Sequence, residues 1–151
     1  QNLEELATIK EELEKRNAII EENQKILIKK STEMENLYEA IRNSNFVIEY
    51  DTKGYIISIN QAYLDLLQIK AEDIVGQHHS YLMEFTEEQR KNYESFWNDL
   101  NRGLIRKETH KFTVNSKKYL FYETYTPLND ENGTVYKILK IAVNVSHLLK
   151  D

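Results

Sequence analysis

The residues best suited to chemistry in this sequence are two adjacent histidines and a stripe of aromatic side chains. His78 and His79 stand in a stretch without a clear helical or strand pattern. A neutral imidazole in such a stretch can ligate a metal ion. Tyr93, Phe96 and Trp97 follow at helical spacing, so that their rings share one face of a helix. Such a stripe either stacks on a planar ligand such as a flavin or, more commonly, fills a core.

A single carboxylate offers a third possibility. Glu123 alternates with Phe121 and Tyr125, so in a strand all three side chains point to the same face. If Glu123 points inward, it needs a partner and could meet a cationic ligand. We expect instead an exposed position at a sheet edge, and we expect His110 and His147 to be solvated surface residues.

Composition excludes several classes of protein. The 151 residues include no cysteine, so disulfides, thiol nucleophiles and cysteine metal sites are absent. A net charge of −5 provides no broad basic face for nucleic acid. No run of about 18 apolar residues occurs, which predicts a cytoplasmic localisation without membrane contact. With no nucleophile–base arrangement, phosphate loop or metal-ligand cluster, we predict a regulatory protein rather than an enzyme, with no metal site.

The first 42 residues differ physically from the rest, because they contain no glycine or proline and are rich in helix formers. An apolar side chain recurs at every seventh position, namely Leu6, Leu13, Ile20, Leu27, Met34 and Ile41. This repeat predicts a parallel homodimeric coiled coil with those residues at the dimer seam. A single amphipathic helix lying on its own domain is disfavoured, because ~40 helical residues extend about 60 Å.

The remaining residues alternate between strand and helix patterns. Asn60 can cap a helix over about Gln61–Ile69, and a capping box at Thr86 begins a longer helix that ends at Gly103. Five strands are predicted, at about Phe46–Tyr50, Tyr55–Ile59, Ile105–Val114, Tyr119–Tyr125 and Val135–Val145. This order predicts an α+β fold in which a five-stranded antiparallel sheet carries its helices on one face.

Several local strings, in their order, resemble a PAS domain over about Leu37–Ser146. These strings are Ile59-Asn60-Gln61-Ala62, Ile74-Val75-Gly76-Gln77, His78-His79-Ser80, Phe96-Trp97 and Thr124-Tyr125-Thr126-Pro127-Leu128. The last three of these strings are similar to the subgroup attached to methyl-accepting chemotaxis proteins and related bacterial sensors. Where many PAS domains have a closing Asp-x-Thr, this chain has Asn144-Val145-Ser146. The resemblance implies that this segment relays the signal by hydrogen bonding to an output helix.

The resemblance also implies a cavity that holds a ligand in some members of the family. The residues that would line it here are His78, His79, Phe96, Trp97 and Tyr125. Having no cofactor is the leading expectation, with haem or FAD as possible cofactors. Haem sensors of this family more often take their ligand from the long helix, and residues 87–102 contain no histidine. Adduct-forming flavin photochemistry needs a cysteine and is excluded.

These observations predict a sensor module cut from a bacterial sensor histidine kinase or chemoreceptor. Residues 1–42 would form the dimerisation helix, residues 43–146 the PAS sensor domain and residues 147–151 the start of an output helix. A change of state in the sensor domain, caused by a small-molecule ligand, would pass through this helix to a downstream output domain. One alternative is a PAS domain without ligand that serves only for dimerisation and relay, and another is a haem or FAD sensor of redox state or gas.

Overall fold

A computed structural model describes residues 2–83 and 85–149, and the chain divides into two units between Ile41 and Arg42. Helix α1 spans Leu3–Ser44, and Asn2 caps it by accepting a hydrogen bond from the Glu5 N–H. None of its side chains is buried in the single chain, and the predicted seam is exposed at Leu6, Leu13, Ile20, Leu27 and Met34 and half-buried at Ile41. The long helix agrees with the sequence, while its pairing with a second copy stays a prediction.

The second unit contains the five predicted strands, which are β1 Phe46–Tyr50, β2 Ile56–Ile59, β3 Arg106–Val114, β4 Lys117–Asn129 and β5 Val135–Asn144. They form one antiparallel sheet of order β2-β1-β5-β4-β3. Strand β5 lies at the centre, between β1 and β4. Three helices connect β2 to β3, namely α2 Gln61–Leu67, α3 Ala71–Ile74 and α4 Glu87–Asn101.

Strand β4 is longer than the sequence predicts, for two local reasons. Asn115 and Ser116 both adopt positive φ, so a two-residue turn brings Lys117 directly opposite Val114. At the other end, Pro127 continues the strand although it lacks an N–H. It lies beyond the last pair with β3, where β4 has a neighbour on only one side, and a strand tolerates proline there.

The core lies between one face of the sheet and the three short helices. Alternate residues of β4 and β5, among them Phe121, Tyr125 and Ile138, point to this face and pack against Trp97 and Leu100 of α4. This arrangement confirms the predicted α+β fold with its helices on one face.

Capping side chains fix the ends of the helices as the sequence predicts. Asn60 accepts a hydrogen bond from the Tyr63 N–H at the start of α2, and Thr86 forms a capping box with Gln89 at the start of α4. The segment expected to begin an output helix forms one 3₁₀ turn at Ser146–Leu148. Residues 150 and 151 of that prediction lie outside the described residues.

Candidate functional site

A buried ion pair lies on the core face of the sheet. The Glu123 carboxylate of β4 and the Lys140 ammonium of β5 lie 2.9 Å apart, and the two residues are only 4% and 6% exposed. The expectation that Glu123 sits at an exposed edge is therefore wrong. Strand β4 is paired on both sides at this point, with Glu108 and with Ala142, so residue 123 does not lie at a sheet edge and its side chain points into the core face.

Both members of the pair stay charged near neutral pH. Burial raises the pKa of Glu123, but the Lys140 ammonium and the nearby His110 ring, whose Nδ1 lies 3.8 Å from the carboxylate, outweigh it and hold that pKa below its usual range. Burial lowers the pKa of Lys140, but the neighbouring Tyr50 and Glu123 raise it above its usual value. The ammonium also lies 5.1 Å from the ring centre of Tyr63. A charged centre is thus built into an otherwise aromatic core.

The two candidate histidines have different surroundings. His78 caps the 3₁₀ turn His79–Leu82 by accepting from the Ser80 N–H, and its Nε2 lies 2.9 Å from the Lys53 carbonyl oxygen. His79 is buried, at 5% exposed, rather than facing water as the simplest alternative would have it. Burial and the nearby Lys140 charge lower the pKa of His79 to about 3, so its imidazole is neutral.

His79 bridges helix α4 and strand β4. Its Nδ1 lies 2.7 Å from the Tyr93 hydroxyl and its Nε2 lies 2.9 Å from the Tyr125 hydroxyl. Tyr125 in turn donates to Glu123 at 3.4 Å. We therefore assign the His79 proton to Nε2, which donates to Tyr125, while Tyr93 donates to Nδ1. This hydrogen-bond chain connects α4 to the Glu123–Lys140 pair.

Two cavities adjoin this chain. One, of about 190 Å³, reaches Lys140 between β3 and α2. The other, of about 460 Å³, lies between α4 and the strands β3 and β4 and reaches Glu123. Both are lined by His79, Met83 and His110. The larger has the volume of a small-molecule site and the mixture of apolar walls with a few polar groups that such sites have.

The structure brings together only part of the predicted cofactor set. His79, Phe96 and Tyr125 line the larger cavity. Trp97 is buried in the core and packs edge-on against the Tyr50 ring. His78 stands apart from the cavity walls, beside Lys53 and Ser80. Lys140, which lines the smaller cavity, was passed over, although it alternates with the apolar Ile138 and Ala142 along β5. His110, expected to be a solvated surface residue, is instead half-buried and lines both cavities.

The predicted relay segment follows the central strand. Asn144 ends β5, and its Oδ1 accepts from the Ser146 N–H at 3.0 Å and from the Ser146 hydroxyl. The Ser146 hydroxyl oxygen accepts from the Leu120 N–H at 3.0 Å, and the Val145 N–H donates to the Leu120 carbonyl at 2.9 Å. These bonds fix the segment to β4, and nothing in them tests whether it relays a signal.

The histidine geometry does not suit haem. Both ring nitrogens of His78 and both of His79 already have hydrogen-bonding partners, so iron ligation would break one of these bonds. In the part of the chain that the structure describes, no group of three His, Asp or Glu side chains could hold a metal ion. Nor does any helix of the described residues have the length and apolar character needed to span a membrane.

The site lies in a small α+β domain, in which cavities adjoin a five-stranded antiparallel sheet and its helices. Residues 43–147 match the family model described as PAS domain, and the chain belongs to this family. It is also similar to the biofilm dispersion protein BdlA of Pseudomonas aeruginosa, with 29% identity over 111 residues. The match covers 73% of this chain and 27% of BdlA. These findings support a role in signal transduction.

Solved structures confirm the fold. The PAS domain of BvgS from Bordetella pertussis superposes with a TM-score of 0.58 at 19% identity, covering 76% of this chain and 87% of that one. A light-oxygen-voltage domain studied with a flavin analogue gives 0.59 at 18% identity, covering 74% and 85%. At these identities the likeness concerns the fold alone.

Proposed function

We propose that this chain is the ligand-sensing input segment of a larger signalling protein, either a sensor histidine kinase or a chemoreceptor. In this proposal α1 forms a parallel dimer, the PAS domain responds to a small molecule, and Asn144-Val145-Ser146 pass the response to an output helix. The observation that carries it is the polar centre of the core, Glu123 with Lys140, opening into cavities large enough for a ligand.

Energetics favour sensing over a ligand-free relay. An apolar core would hold the sheet and helices together without a desolvation cost for buried charges. Each charge taken out of water loses several kcal/mol of hydration free energy. A cavity of about 460 Å³ in contact with Glu123 also has room for a small molecule. The buried ion pair is unfavourable in a purely structural domain, and together with the cavity it suits a domain that binds a ligand.

Native mass spectrometry and an absorption spectrum of the purified chain test the sensing step. A bound small molecule, or a visible chromophore, supports ligand sensing. A dimer without bound mass, which also fails to bind any member of a metabolite library, supports the relay alternative and contradicts the sensing proposal. A Soret band would support haem, in spite of the occupied histidine nitrogens.

Light scattering tests the dimer with a matched pair of variants. Leu27 lies in the predicted seam and Ile28 lies beside it, and the two are almost equally exposed in the single chain, at 66% and 67%. The wild-type chain should have about twice its mass of 18.0 kDa at micromolar concentration. Leu27→Lys should give a monomer because it places a charge in the seam, and Ile28→Lys should stay dimeric.

Two results would contradict the coiled coil. A wild-type chain that is monomeric at these concentrations would remove the dimer altogether. Equal weakening by Leu27→Lys and Ile28→Lys would show association without the predicted register.

A further inference from the structure

We propose that the larger cavity binds a small organic cation, one in which an ammonium group is attached to an apolar or aromatic part. This inference rests on the proposed sensing function and specifies the class of ligand. It depends on three properties of the cavity wall, namely its charge, its aromatic faces and the way in which its acidic groups are already paired.

The wall carries an excess of negative charge. The acidic residues that line the cavity are Glu88, Glu108 and Glu123. Among the described residues of the wall, the basic one with a permanent charge is Arg106. The Arg106 guanidinium is held by Asp99 at 2.9 Å and by Glu108 at 3.1 Å, and Lys140 pairs with Glu123. Asp99 also pairs with Arg102 at 3.7 Å, so four carboxylates face three basic groups. The one negative charge in excess attracts a cation into the cavity and repels an anion.

Glu88 is the carboxylate that is available to a ligand. Glu108 already pairs with Arg106, and Glu123 with Lys140. Among the described residues, no basic side chain forms an ion pair with Glu88, which lies in the first turn of α4 and lines the cavity. A ligand ammonium is therefore placed at the mouth, near Glu88, with its apolar part directed inward.

The aromatic walls suit the same ligand. Phe85 and Tyr93 pack together with ring centres 4.6 Å apart, on the side of the cavity that carries Glu88. Across the cavity, the Arg106 guanidinium carbon lies 5.2 Å from the ring centre of Phe96. One cation is thus already held against an aromatic face of this wall. Ring faces next to carboxylates are the surroundings in which proteins bind organic ammonium groups.

Three probes of similar size separate charge from shape. Phenethylamine is a cation, 2-phenylethanol is neutral and 3-phenylpropionate is an anion. Calorimetric titration of the full chain at neutral pH and low salt should give the tightest binding for phenethylamine. A charge contribution of about 1.4 kcal/mol corresponds to roughly tenfold tighter binding than the neutral probe. The anion should bind more weakly than either.

Glu88→Gln should weaken phenethylamine binding by about fivefold and leave 2-phenylethanol unchanged. Glu87→Gln is the matched control, because Glu87 shares the first turn of α4 but does not line the cavity. Both variants remove a favourable charge from the helix N-terminus, so their effects on stability should be similar. Only the Glu88 variant should change the affinity for the cation.

The proposal is overturned if the neutral or anionic probe binds as well as phenethylamine, or if the two variants behave alike. It is also overturned if no probe binds at about 10 mM, which is above the millimolar affinities of very small ligands. Failure of the cation proposal can be distinguished from failure of the sensing function. Native mass spectrometry that shows a neutral or anionic molecule bound would refute the cation and leave the sensing function intact.

Discussion

Burial of His79 as a neutral imidazole predicts that acid destabilises the PAS domain in a defined pH window. The unfolded side chain takes up a proton near its ordinary pKa of 6.5, whereas the folded one resists protonation down to about pH 3. The unfolded state therefore binds more protons between these values, and stability falls as the pH falls. From the two pKa values, the free energy of unfolding should decrease by about 2 kcal/mol between pH 8 and pH 5.

This window separates His79 from the buried ion pair. The pKa of Glu123 is lowered from an ordinary value of 4.5, so its stabilising contribution is complete above that pH and is lost only in stronger acid. Measurements at pH 5 and above thus leave the Glu123 contribution intact.

Urea unfolding followed by tryptophan fluorescence measures the effect directly. Trp97 is the single tryptophan of the chain and is buried in the PAS core, with its ring centre 5.4 Å from that of His79. Its fluorescence therefore reports on this domain and not on α1. The free energy of unfolding of the wild-type chain should be about 2 kcal/mol lower at pH 5 than at pH 8.

His79→Gln keeps hydrogen-bonding capacity towards the two tyrosines but does not titrate. It should be less stable than the wild type at pH 8, because it loses the ring contacts with Phe96 and Tyr93, and should have little pH dependence down to pH 5. His147→Gln is the control, because His147 is exposed and should leave the wild-type slope unchanged. If His79→Gln retains the wild-type slope, the structural explanation of the acid sensitivity is wrong.

Three other substitutions have expected outcomes in the same unfolding assay. Lys140→Met should lower the free energy of unfolding by about 3–5 kcal/mol, because it leaves Glu123 unpaired. Adding Glu123→Leu should recover most of this loss, and a double variant as unstable as the single variant would refute this reasoning. Gly54→Ala should lower the free energy of unfolding more than Gly133→Ala does. Both glycines have positive φ, but only at Gly54 would an added Cβ approach a side chain, lying 2.8 Å from His78 Nε2. Equal losses would contradict this. Asn60→Ala should lower the free energy of unfolding by about 2–3 kcal/mol, because it removes the cap of α2 and the donor to the Arg42 and Asn45 carbonyls. A loss below about 0.5 kcal/mol would contradict this.

Local sequence patterns were sufficient for most of the fold. The capping residues Asn60 and Thr86 each lie next to the helix that they begin, so short-range chemistry identifies them. Strand alternation likewise places Phe121, Glu123 and Tyr125 on one face, as observed. Predictions that depend on neighbours close in the sequence therefore succeeded.

The site depends on contacts between residues far apart in the sequence, and there the predictions were incomplete. That Glu123 does not lie at a sheet edge is decided by β4 having partners on both sides, which no local pattern encodes. His79 is buried because Tyr93 and Tyr125, 14 and 46 residues away, accommodate both its nitrogens. Lys140 escaped notice because a lysine in a strand is usually exposed, and only the Glu123 partner explains its burial.

The hydrogen-bond chain suggests how a ligand could be coupled to the end of β5 if the sensing proposal holds. The chain runs from Tyr93 on α4 through His79 and Tyr125 to Glu123, whose partner Lys140 lies four residues before Asn144 on β5. Both Tyr93 and Glu123 line the larger cavity, so one ligand can contact both ends of the chain. Allosteric coupling typically needs only 1–3 kcal/mol of difference between two states. Breaking or making one charge-assisted hydrogen bond in a buried site supplies a difference of about that size.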